Sequence, residues 1–138
     1  MKSFFVSFSI PGTPVTKKNS QQMAFNKKTK RWFPVPSKAY KAYEKSAKAV
    51  LEHNTNPPID FPINICCVYV FPLNKDGSQP KKKPDLPNLL EATDDILVKY
   101  GVIADDNVSI VATHDGSKVV FTNDSEPETY VTITKAKL

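Results

Sequence analysis

Cysteine is scarce in this 138-residue chain, and its two copies, Cys66 and Cys67, are adjacent. Neighbours in a strand point to opposite faces, so the pair argues against a disulfide framework. No apolar run approaches the roughly 20 residues of a membrane span. The opening Met1-Lys2-Ser3-Phe4-Phe5-Val6-Ser7-Phe8 lacks the long apolar core and small-residue cleavage site of a signal peptide, and Pro11 soon interrupts it. The expected compartment is therefore the cytoplasm, with no membrane association. No repeat and no inter-domain linker is visible, so one domain over 1–138 is predicted. No RNP-like aromatic pattern marks an RNA-binding sheet. Histidine occurs only twice. His53 reads as a helix-end residue. His114 reads as a turn residue without a fixed partner, and the reading goes against a catalytic role for it.

Charge is unevenly spread. Residues 1–84 hold 15 Lys+Arg against 4 Asp+Glu, and residues 85–138 hold 4 against 10, within a net charge of +5. A polyanion-binding flank beside an acidic pocket would produce this asymmetry, and so would an uneven surface on a soluble domain.

The hydrophobic pattern predicts an α+β fold: one small domain, a mixed β-sheet of about four to five strands and two main helices. Residues 2–10 alternate and predict a strand. Residues 15–36 predict a long basic loop or loose hairpin. Within it Trp32 and Phe33 follow a cationic cluster; they could stack on bases, and a role as loop anchor against the sheet is favoured. Ser37 is a predicted N-cap for a helix carrying Tyr40, Tyr43, Ala47, Val50 and Leu51 at helical spacing. Residues 64–72 predict a buried strand, and residues 73–84 a second basic, mobile loop. Asp85 is the predicted N-cap of a second helix running to Tyr100, with Pro87 in its first turn and Gly101 just beyond its end. Residues 107–113 predict a strand, Asp115-Gly116 a hairpin-type turn, and 118–121 and 129–134 two further strand segments.

The stretch from Lys81 to Asp106 carries the chemistry. Lys81, Lys82 and Lys83 meet Asp85; Glu91 and Asp95 lie on one helix face; Asp105-Asp106 follows the helix. Lysines attract phosphate, and clustered carboxylates repel it unless a cation lies between them. Mg²⁺ prefers such oxygen ligands and keeps several waters. Singly, each acid reads as a cap, a turn residue or a solvated helix face; together, beside a lysine run, they read as a metal-dependent nuclease site. The expected geometry is one negative cup in which Asp85 and Asp106 share an ion or its hydration shell.

Lys-Pro-Asp-Leu-x-Asn-Leu (83–89), the amphipathic helix, and Gly-Val-Ile-x-Asp-Asp (101–106) resemble the signature of RusA-type Holliday-junction resolvases. Pro11 to Ser20, Pro36 to Tyr40 and His114 to Lys118 share the resemblance, which spans nearly the whole chain. It implies a homodimer that binds branched DNA and cuts four-way junctions, in recombination and repair, with Mg²⁺ as cofactor and Mn²⁺ as substitute. Asp85 and Asp106 match the family's essential aspartates, Asp105 stands beside the latter, and Asp95 matches an aspartate common later in the helix. Two positions depart: Pro87 stands where the family usually has Asp, and Glu91 where it often has a catalytic lysine. Glu91 is the expected compensating ligand, and Lys118 or one of Lys81–Lys83 the replacement charge. The expected metal set is Asp85, Glu91, Asp95, Asp105 and Asp106, with Asp85, Asp106, Glu91 and Lys118 catalytic. Lys17, Lys18, Lys27, Lys28, Lys30, Arg31 and Lys81–Lys83 are the expected DNA contacts. The alternative is a weak or inactive binder of branched DNA with the same fold.

Overall fold

A computed structural model of the protein describes residues 4–16 and 21–137. Met1 to Ser3, Lys17 to Ser20 and Leu138 lie outside the described residues, and with them two of the expected DNA contacts, Lys17 and Lys18.

The alternating segments form the sheet. β1 (Phe5–Pro11) pairs antiparallel with β7 (Glu128–Lys135), which pairs antiparallel with β4 (Ile63–Phe71). Ile63, Ile65, Cys67 and Tyr69 on β4, and Val131 and Ile133 on β7, point to one buried face. α1 (Lys38–Leu51) and α2 (Leu86–Lys99) cover that face, adding Tyr43, Ala47, Leu51, Leu89, Ile96 and Leu97 to the same core cluster. Full burial of each large aliphatic side chain contributes about 1.5–3 kcal/mol, so this layer contact dominates stability. Hydrogen bonds at buried polar atoms lock the layers in register: Tyr43 to Thr129 between α1 and β7, and Tyr69 Oη to Thr93 Oγ1 (2.6 Å) between β4 and α2. The result is α+β, as the pattern predicts, with a mixed five-stranded sheet and a separate hairpin.

Several local expectations are met. The Ser37 hydroxyl accepts from the Tyr40 amide at 3.1 Å and caps α1. Both cysteines are free, Cys67 buried and Cys66 half-buried on the opposite face. No helix among the described residues is long and apolar enough to cross a membrane.

Others are corrected. Val50 is exposed, because the stripe of α1 narrows to Tyr40, Tyr43, Ala47 and Leu51. Residues 15–36 contain a true hairpin, β2 (Gln21–Asn26) with β3 (Arg31–Pro36). The loop expected over 73–84 is present, and within it residues 74–78 form a turn: Asn74 N donates to Ser78 O, Gly77 N to Asn74 O, and Ser78 N to the Asp76 carboxylate. The strand expected over 107–113 shrinks to β5 (Val111–Thr113), since Asn107 O accepts from both Ile110 N and Val111 N and curls the chain. Asp115-Gly116 closes no hairpin. β5 and β6 (Lys118–Phe121) both run parallel to β4, one after the other along its edge. The partner of Asn64 is Thr113, and that of Val68 is Lys118, so one extra residue is absorbed between them. Asn64 holds this jog by accepting from Asp115 N (2.7 Å) and donating to Asp115 O (3.1 Å). Gly116 takes the positive φ of 88° that the bulge requires.

Candidate active site

Three local devices place Asp105 and Asp106. α2 ends in a Schellman turn: Gly101, at φ 74°, donates to Val98 O, and Val102 N donates to Leu97 O. Ile103 then bridges Ile59 in parallel, with Ile59 N bonded to Val102 O and Ala104 N to Ile59 O. Finally Asn107 turns the chain into β5. The two carboxylates therefore sit on a loop pinned at both ends.

Asp106 lines a cleft of about 370 Å³ with Asp95 of α2 and with Tyr40 and Glu44 of α1. Glu44 is engaged in an ion pair with Lys99 and accepts from the Tyr100 hydroxyl at 3.1 Å. The Tyr40 hydroxyl is pushed up to about 12, first by burial and then by the charges of Glu44 and Asp95. Asp106 is held above the usual carboxylate range by lost hydration, by its hydrogen bond to Asp105, and by the charges of Asp105 and Asp94. Asp105 is held below that range, chiefly because the Asp106 amide donates to it at 2.7 Å. Negative potential thus accumulates at Asp106, and a cation there would be stabilised by the charges that hinder its ionisation.

The five expected metal ligands are not gathered in one cup. Among the described residues no three His, Cys, Asp or Glu side chains converge as a metal-holding group. Asp95 and Asp106 share the cleft, and Asp105 bonds to Asp106. Glu91 is exposed one turn before Asp95, at the i, i+4 spacing that puts side chains on one face. Asp85 is at the far end of α2, ten residues before Asp95 and about 15 Å along the helix axis. It occupies the N-cap position with no side-chain capping bond. Helix geometry, which puts Asp85, Asn88, Glu91 and Asp95 on a stripe, accounts for the spread.

One pair escaped the sequence reading. Asp94, which the sequence reading assigned no role, is buried on α2, and His114 Nε2 lies 2.9 and 3.2 Å from its two oxygens. The Asp94 hydrogen bond raises the His114 pKa above 6.5 against the opposing effect of burial. The partner that sequence could not supply for His114 lies 20 residues away, across the jog.

Lys99 lines the cleft, paired with Glu44, but the expected phosphate-binding cations do not line it. Lys81, Lys82 and Lys83 are exposed just before Asp85, and Lys83 donates to Pro80 O. Lys118 is exposed at the first residue of β6. Lys27, Lys28, Lys30 and Arg31 are exposed at the tip of the β2–β3 hairpin. Trp32 and Phe33 are not anchors: they are 65% and 40% exposed, because this hairpin pairs with no strand of the main sheet.

No curated protein matches the chain. A family model described as endodeoxyribonuclease RusA matches residues 11–134, which takes in the hairpin, both helices and every acid of the cleft, and the chain accordingly belongs to the RusA endodeoxyribonuclease family.

Proposed function

We propose that the protein resolves four-way DNA junctions by paired phosphodiester hydrolysis, as a homodimer and with Mg²⁺. Membership in a nuclease family that acts on branched DNA supports the substrate class. The observation that supports the metal assignment is that Asp95 and Asp106 line one cleft, with Asp105 bonded to an Asp106 held above its usual range. Mg²⁺ commonly takes one or two carboxylates and completes its shell with water and substrate phosphate. A cleft lined by Asp95 and Asp106, with its third carboxylate, Glu44, paired to Lys99, fits that requirement; a cage of many protein ligands is not needed.

Asp95 and Asp106 would hold the ion, flanked by Asp105 and Glu91. When bound, it supplies an activated water and stabilises the leaving oxygen. Asp85 spends no side-chain bond on its helix, so its carboxylate stays available to a ligand at that end of the stripe. Lys81–Lys83, adjoining Asp85 at the positive end of α2, offer phosphate contacts, and Lys118 adds charge. A four-way junction presents two symmetry-related scissile phosphates, which a two-fold dimer matches.

A labelled four-way junction, incubated with and without Mg²⁺, tests this. Asp106→Asn should lower cleavage by about 100-fold or more while junction binding persists. A second reading, a junction binder that does not cut, is favoured by Pro87 and Glu91 at the two departing positions. Binding without cleavage by the wild-type chain at every Mg²⁺ or Mn²⁺ concentration would establish it.

A further inference from the structure

The β2–β3 hairpin is a two-stranded sheet separate from the main one, with an apolar face turned to solvent. Its register sets Phe25 opposite Trp32 and Met23 opposite Pro34, so these four side chains share one face. Trp32 is 65% exposed, Met23 59% and Phe25 46%. The Phe25 and Trp32 rings pack against each other, with centroids 5.2 Å apart and planes tilted by 50°.

The tip is a built turn. The Asn26 side chain accepts from Lys28 N (2.9 Å) and Thr29 N (3.3 Å), and Lys30, at φ 55°, donates its amide to Asn26 O. This fold of the tip brings Lys27, Lys28, Lys30 and Arg31 directly beside the aromatic pair.

Water is a poor neighbour for so much aromatic surface, and an isolated hairpin is only marginally stable. The charges decide which partner suits it. A second copy would bring another cationic tip, from a half-chain with 15 Lys+Arg against 4 Asp+Glu, and like charges would repel. A polyphosphate with an accessible base satisfies both features: phosphates for the cations, a π face for the indole. In an intact duplex, bases are stacked and offer no such face. At a branch point, base pairs that flank an opened crossover lose a stacking neighbour and offer one.

We propose that the Phe25–Trp32 face is a stacking platform for a base exposed at the branch point of DNA, with the tip cations on the flanking phosphates. This rests on the junction reading above and adds the element that tells a branch from a duplex.

Trp32 is the single tryptophan of the chain, so its fluorescence reports this face without interference. The full-length protein would be titrated with a four-way junction and with a duplex of the same sequence, binding being followed in parallel by anisotropy of the labelled DNA. Trp32 emission should be quenched by the junction and not by the duplex. Trp32→Ala should weaken junction binding by roughly 5- to 150-fold, the range for loss of one base–aromatic stack, and leave duplex binding unchanged. Trp32→Phe should restore most of the loss, which a folding defect would not allow. Junction binding with unquenched Trp32 overturns the platform and leaves the junction reading standing. Absence of junction binding overturns both. An emission shift that follows protein concentration alone, or that appears with vesicles containing anionic lipid and not with the junction, assigns the face to a second copy or to a membrane surface and overturns the proposal.

Discussion

Asp94 shows what a single residue can hide. Its position in the helix, next to Asp95, does not by itself set it apart from its acidic neighbours. Burial makes it different, because a buried carboxylate needs a partner, and His114 is that partner. The pair has a defined pH dependence. The folded His114 pKa lies above 6.5, so the stability it adds is fully present below pH 6.5 and is lost as pH rises through the folded value. His114→Gln should cost about 1.5–3 kcal/mol at pH 6, the range for a hydrogen bond to a charged group, and less at pH 9. Urea unfolding at the two pH values measures this. A deficit that is constant, or that grows with pH, would refute the ionised pair. His53, exposed beside Glu52 at 3.6 Å, is the control, and His53→Gln should change stability little at either pH.

Among the elements, those decided by local pattern were legible and those decided by distant partners were not. Ser37, the aliphatic stripe of α2 and Gly101 act within a few residues, and sequence alone places both helices. The jog at 114–117 is different. An Asp-Gly pair between two apolar runs reads as a hairpin, yet Asn64, on another strand, holds the loop in a bulge and keeps β5 and β6 parallel to β4. The candidate site divides the same way: the acids are evident in sequence, but the cleft joins Tyr40 and Glu44 of α1 to Asp106 of a loop more than 60 residues on. The two glycines provide a test at this scale. Both have positive φ, but a Cβ on Gly101 meets nothing within 4 Å, whereas on Gly116 it would approach Cys66 Sγ to 3.1 Å. Gly101→Ala should cost about 1–2 kcal/mol, the left-handed penalty, and Gly116→Ala more. Thermal unfolding of the two variants decides it. Equal losses would mean that the Cys66 side chain yields without cost.

Across the whole molecule, the expected phosphate-binding cations and the carboxylates of the cleft occupy different places. The hairpin tip and Lys81–Lys83 lie outside the cleft, and the acids of α2 and its following loop lead into it. For a polyanion this is attraction at the periphery and repulsion at the centre, relieved only where a cation bridges phosphate and carboxylate. The peripheral part has a thermodynamic signature: each phosphate contact releases counterions, so log K falls with log salt by about 0.9 for every contact on duplex DNA. Lys82→Ala should therefore weaken binding to all DNA sequences alike and flatten that slope by about one unit or less. Trp32→Ala should lower junction affinity with the slope intact, because stacking releases no counterions. Measured from low to moderate salt with one junction, the two variants should thus separate into a change of slope and a change of intercept. Unequal partition of the two effects is what charge on the loop before α2 and an aromatic face on the hairpin must produce. A Lys82→Ala slope identical to the wild type would remove that lysine from the phosphate path, leaving the hairpin tip to supply the attraction.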